Sequence, residues 1–191
     1  MKIGVLILAA GFSNRMGVNK ALLKFNKDYT FLDQLVSQYQ LTEINKITII
    51  SQNDSLPIHS SIFSKKIQFV KNEYPRLGRS YSIHLGLQSF KSFDFVFIQN
   101  IDNPFTKSEL LILMISQARS NIALVPQVKS KNSHPILIPQ TLCEKIMNER
   151  AKSFDFRDLF TKFSKRYIQW DEENIRANIN TMKEYERWLS Y

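Results

Sequence analysis

A single cysteine, Cys143, excludes an intrachain disulfide framework and a zinc site built on cysteines. It reads as a buried, inert thiol of a reducing compartment. Histidine is scarce as well: His59, His84 and His134 are too widely spaced to form a ligand set. With five glycines and six prolines the chain lacks the composition of a disordered or low-complexity protein. No stretch approaches the ~18 apolar residues of a membrane span. The apolar start, Ile3 to Leu8, follows a single cation, Lys2, and is short for a secretory leader. The expected location is cytoplasmic. Acidic residues are outnumbered, 17 to 26, and the formal net charge is +9. The basic residues are scattered and no nucleic-acid-binding module is recognisable. That balance favours a surface for small polyanions over one for RNA or DNA.

What is present is a core-forming composition, 43% hydrophobic and 12% aromatic, in 191 residues. It predicts one domain spanning 1–191. Strand-like and helix-like segments alternate, the pattern of an α/β fold with a mostly parallel sheet. Strands are expected at Ile3–Leu8, Ile47–Ile50, Ile67–Val70, Phe93–Ile98, Ile122–Val125, Ile136–Ile138 and Tyr167–Gln169. Helical spacing marks Phe31–Tyr39, a segment carrying Ile83, Leu87 and Phe90, and the segments Gln140–Asn148 and Arg157–Phe163. Ser80 or Ser82 is expected to cap the second of these. Thr106, with Glu109 in the capping-box position, is expected to start a helix reaching Ala118, and Thr181 to start a C-terminal one.

In open α/β sheets ligands collect beyond the carboxyl ends of the strands. Three loops lie there: Ala9 to Lys20, Asn72 to Ser82 and Asn100 to Pro104. The first combines Gly11 and Gly17 with Arg15 and Lys20. Glycine admits a ligand close to the backbone, amide N–H groups face an anion, and the cations meet phosphate oxygens. The second brings Arg76, Arg79 and polar groups. The third brings Asp102, a carboxylate placed to hold Mg²⁺ against phosphates. Gly17 is followed by Val18, which rules out the Walker phosphate loop, and the dinucleotide glycine triplet is missing.

The string Leu-x-Ala-Ala-Gly-x-Ser-x-Arg-Met-Gly-x-x-Lys, from Leu8 to Lys20, resembles the signature loop of the MobA-like NTP transferases. These include molybdenum-cofactor cytidylyltransferases and guanylyltransferases. Asn72, Gly78, Ser82 and Gly86-Leu87 resemble the family's segment over base and phosphates. Ile101-Asp102-Asn103-Pro104 resembles its metal loop, with Asn103 in place of glutamine. His134-Pro135-Ile136-Leu137 and Arg157 resemble its acceptor-side segments. The resemblance implies a single-domain three-layer α/β sandwich, like the nucleotide-diphospho-sugar transferases, GT-A-like and Rossmann-like. It implies Mg²⁺-dependent transfer of a nucleotide from an NTP to a phosphorylated small-molecule acceptor, with release of pyrophosphate.

By that resemblance Arg15, Lys20 and Asp102 are catalytic. Leu8, Ala9, Ala10, Gly11, Ser13, Arg15, Gly17, Lys20, Asn72, Gly78 and Ser82 bind nucleotide, and Asp102 and Asn180 hold metal. His134 and Arg157 lie on the acceptor side. Ala10, where the guanylyltransferase branch has glycine, points to CTP with molybdopterin as acceptor. Sugar-phosphate and phosphocholine acceptors remain open. Two departures stand out: Asn178 and Asn180 where the family commonly has aspartates, and Ser133 before His134 where it usually has glycine. The asparagines also leave open a nucleotide-binding protein impaired in catalysis.

Overall fold

The computed structural model describes residues 1–12 and 16–189. The strands are β1 (Ile3–Leu8), β2 (Lys46–Ser51), β3 (Ile67–Lys71), β4 (Phe95–Asn100), β5 (Ala123–Val128), β6 (Lys131–Asn132), β7 (Ile136–Pro139) and β8 (Lys165–Gln169). The α-helices are α1 (Phe31–Gln40), α2 (Gly78–Leu87), α3 (Ser108–Ser116), α4 (Gln140–Asn148), α5 (Phe156–Thr161) and α6 (Met182–Leu189). One sheet runs β3-β2-β1-β4-β7-β5-β6, with β8 against the free side of β5. The pairs β1–β2, β2–β3, β1–β4 and β5–β8 are parallel, whereas β7 runs antiparallel to β4 and β5. The sheet is thus mostly parallel, with β7 reversed in its middle and the short β6 reversed at the end of β5.

β1 explains the three layers. All six of its residues are buried, as a central parallel strand covered on both faces requires. Its side chains alternate between two cores. Val5 and Ile7 face the core made with α1 and α3, and Leu6 and Leu8 face the core made with α2, α4 and α5. Cys143 sits in the second core, where burial pushes its thiol up to about 12, consistent with an inert role.

Thr181 caps α6 as expected, its Oγ1 accepting from the Glu184 amide at 3.2 Å, whereas the starts of α2 and α3 differ from expectation. α2 begins at Gly78, ahead of Ser80 and Ser82, and its N-cap residue, Leu77, makes no side-chain cap. Ser80 Oγ instead accepts from the Phe156 amide at 3.0 Å, tying α2 to α5. Lys107 is the N-cap residue of α3, and Glu109 is exposed. Thr106 is recruited elsewhere because Gln99 is buried on β4 with a whole amide to satisfy. Gln99 Oε1 accepts from Thr106 Oγ1 at 2.8 Å and from Tyr39 at 3.0 Å. Its Nε2 donates to the carbonyls of Asn100 and Asn103, at 2.9 and 3.0 Å. A fully bonded buried amide is a rigid brace. Here it fixes the turn that carries Asp102.

Candidate active site

Two clefts open side by side at the carboxyl ends of β1 and β4. The first encloses about 420 Å³ and draws on all three anticipated loops. Leu8 comes from the end of β1, Ala9, Ala10, Gly11 and Lys20 from the first loop, Gly78 and Ser82 from the second, Asp102 from the third. Gly17, at φ 67°, lines an adjoining hollow with Asn19, Gln52 and Asn53. Ser13 and Arg15 lie outside the described residues.

Lys20 is held from several sides. Asn19 Oδ1 accepts from the Ala21 amide at 3.0 Å and starts a short 3₁₀ turn, while buried Ala21 anchors that turn in the core. Lys20 Nζ donates to Asn180 Oδ1 at 2.6 Å and lies 3.9 Å from Asp102 Oδ2. Asn180 reaches Lys20 because the Ile179 amide donates to the Asp102 carbonyl at 2.8 Å. Just upstream, Asn103 Nδ2 and Ser133 Oγ both donate to the Ile175 carbonyl. The serine that departs from the family pattern therefore has a structural partner.

Asp102 is the best metal candidate. Its Oδ1 is buried and has no hydrogen-bond partner among the described residues. Burial raises its carboxyl pKa, and Lys20 and Arg79 pull it back down. A carboxylate oxygen shielded from solvent and lacking a donor suits a hard cation. Among the described residues no three His, Cys, Asp or Glu side chains gather. A cation here would depend on phosphate oxygens and water for the rest of its shell. Asn180 Oδ1, anticipated as a metal ligand, accepts from Lys20, and Asn178 lines the other cleft.

Asn72 requires a correction. Expected to touch base or ribose, it is only 1% exposed. Its Nδ2 donates to Ser82 Oγ at 3.0 Å and its Oδ1 accepts from the Tyr74 amide at 2.8 Å. It shapes the loop before Gly78 (φ 80°) and has no face on the first cleft.

The second cleft, about 400 Å³, is lined by His134, Arg157, Phe156, Phe160, Arg176 and Asn178, with Arg79 and Asn100 at the border. The Phe156 and Phe160 rings stack, their centroids 5.3 Å apart. Asn100 Nδ2 and His134 Nε2 are 3.1 Å apart. Burial, and then the Arg79 charge, lower the His134 pKa to about 3, so its imidazole is neutral at pH 7. A neutral ring nitrogen then accepts from the Asn100 amide. The cleft offers cations and an aromatic wall, a surface for an anion that carries a flat or apolar part. His134 and Arg157, expected on the acceptor side, both line this cleft, and Asn100 comes from the third loop; Phe156 and Arg176 were not anticipated, because their nearness depends on tertiary packing.

The family model for the MobA-like NTP transferase domain matches residues 5–164. The molybdenum cofactor guanylyltransferase of Campylobacter jejuni subsp. doylei is 24% identical, the match covering 99% of this chain and 96% of that protein. The crystal structure of Rv0371c from Mycobacterium tuberculosis superposes with a TM-score of 0.79, at 17% identity and full coverage of both chains. A manganese complex of that protein gives 0.72, at 14% identity and coverage of 99% and 98%. Molybdopterin-guanine dinucleotide biosynthesis protein A from Archaeoglobus fulgidus gives 0.68, at 18% identity and coverage of 97% and 96%. At such identities the structures speak for the fold.

Proposed function

We propose that this chain, which belongs to the MobA-like NTP transferase family, is a guanylyltransferase acting on GTP and a molybdopterin-type phosphorylated acceptor. The observation that carries the reading is the pair of adjoining clefts: one glycine-lined with Lys20 and Asp102, the other cationic and aromatic. GTP occupies the first and the acceptor the second. An oxygen of the acceptor phosphate forms a bond to the α-phosphorus. The bond from that phosphorus to the β-phosphate oxygen breaks, and its electron pair leaves with pyrophosphate. Such a transfer depends on positioning and charge neutralisation more than on a protein nucleophile.

In this reading Lys20, with Arg15, neutralises the triphosphate, and the open backbone at Gly11 lets it approach. A divalent cation, Mg²⁺ here, offsets phosphate charge when bound, with Asp102 as its protein ligand. His134 and Arg157 belong to the acceptor wall.

The names of the curated relatives favour GTP as the nucleotide, in place of the CTP expected from Ala10. Ala10 is itself a weak discriminator: its side chain is 3% exposed and packed in the layer that contains Leu8 and Ile50. A methyl there serves packing as well as the cleft. The test is pyrophosphate release with Mg²⁺ and a molybdopterin acceptor, comparing GTP, CTP, ATP and UTP. Preference for GTP supports the assignment, and preference for CTP restores the cytidylyl reading. Nucleotide binding without release under any acceptor identifies a catalytically impaired binding protein.

A further inference from the structure

The two clefts meet at two residues. Among the described residues only Arg79 and Asn100 line both. Lys20 belongs to the first cleft alone, and Arg157 and Arg176 to the second alone. Among the described residues Arg79 is therefore the one cation common to both chambers. It is fixed there by two contacts: Nε donates to Asn100 Oδ1 at 3.2 Å, and the guanidinium lies 5.1 Å from the centre of the Phe156 ring. Asn100 is in turn oriented by its contact with neutral His134, which leaves its carbonyl oxygen for Arg79. Nε is one of five guanidinium donors, so four N–H groups on the two Nη atoms are available to a ligand.

Resting on the transferase reading, we infer that Arg79 is a catalytic residue that bridges the attacking acceptor phosphate and the α-phosphate of the nucleotide. Two anions must be brought within bonding distance at the border of the clefts, and their repulsion opposes this. A planar fork meets one oxygen of each phosphate at once, whereas a lysine offers a single point charge. As the acceptor oxygen bonds to phosphorus and pyrophosphate departs with the electron pair, charge accumulates on the oxygens between the chambers. Arg79 gives up no proton and holds that charge. Its interaction is strongest when both substrates are present and drawn together, which places its contribution in kcat more than in binding either substrate.

The experiment compares wild type, Arg79→Ala and Arg79→Lys, with melting temperature as the check on folding. Arg79→Ala is expected to lower kcat about 100-fold or more. The Kd of GTP and that of the acceptor, each measured alone by calorimetry, change by no more than about 3-fold, and Arg79→Lys recovers part of kcat. Wild-type kcat in Arg79→Ala overturns the inference and leaves the transferase reading standing. A 100-fold weaker GTP Kd with kcat preserved at saturation also overturns it, reducing Arg79 to a triphosphate anchor. A wild-type protein that neither binds nor turns over any NTP removes the transferase reading, and this inference with it.

Discussion

Lys20 Nζ and Asn180 Oδ1 meet at 2.6 Å across 160 positions of sequence. The amide holds the ammonium at the mouth of the first cleft without neutralising it. A carboxylate at that position would pair with Lys20 and compete with phosphate for it.

Lys20→Ala is expected to weaken GTP binding by about 1.5–3 kcal/mol, the usual worth of a hydrogen bond to a charged group. That is roughly a 10- to 100-fold rise in Kd. Asn180→Ala leaves the charge in place and costs less, within about 10-fold. Calorimetry with GTP and Mg²⁺ checks both. Equal losses would mean that the amide, and not the ammonium, carries the contact.

Asp102→Asn separates stability from chemistry. Burial raises the Asp102 carboxyl above its ordinary value of 3.8. The folded state then binds the proton more tightly than the unfolded state. That stabilising contribution is complete below 3.8 and is lost as pH rises through the raised folded value. At pH 7 the ionised group is a burden, eased by Lys20. Asp102→Asn should therefore melt no lower than wild type while its turnover collapses. A large fall in melting temperature with activity retained would contradict both parts.

His134 gives the opposite pH dependence. Its folded pKa of about 3 lies below the ordinary 6.5. As pH falls from about 6.5 towards 3, the unfolded chain takes up a proton that the folded chain refuses. Stability then declines by at most about 1.4 kcal/mol per pH unit from this group. Urea unfolding of wild type and His134→Asn at pH 7, 5.5 and 4.5 should show wild type losing more on acidification. Parallel losses would refute the buried neutral imidazole.

Two glycine substitutions should fail for different reasons. A Cβ on Gly86 would come within 2.2 Å of Leu6 and 3.1 Å of Ile50. Gly86→Ala should thus destabilise the α2–sheet contact by about 1–3 kcal/mol. Among the described residues, a Cβ on Gly11 would meet nothing within 4 Å. Gly11→Ala should keep the wild-type melting temperature yet bind GTP more weakly, because the space it fills is the ligand's. Unchanged GTP affinity in Gly11→Ala would remove Gly11 from the nucleotide path.

β1 was legible because its run of apolar residues is what a doubly covered strand demands, and the small residues after it, Ala9, Ala10 and Gly11, mark a loop that a ligand can approach. Its partner strand β4 ends at Asn100, two residues beyond the expected end, because polar Gln99 is wholly buried and internally bonded there. Asn72 was misread for the same physical reason. A polar side chain in a loop suggests a ligand contact, but two internal hydrogen bonds satisfy it. Arg79 was visible as a loop cation. Its place between the clefts depends on Phe156, which α5 brings alongside and which no local pattern reveals.

The hydrogen bond from the Ile179 amide to the Asp102 carbonyl bears on how the protein is made. Residues 175–180 follow all eight strands in the sequence. Every described strand therefore precedes this segment in the chain. Lys20, synthesised early, gains its amide partner only after this late segment emerges and docks. A truncated product ending after β8 would keep all eight described strands and lack Asn180, one of the partners of Lys20.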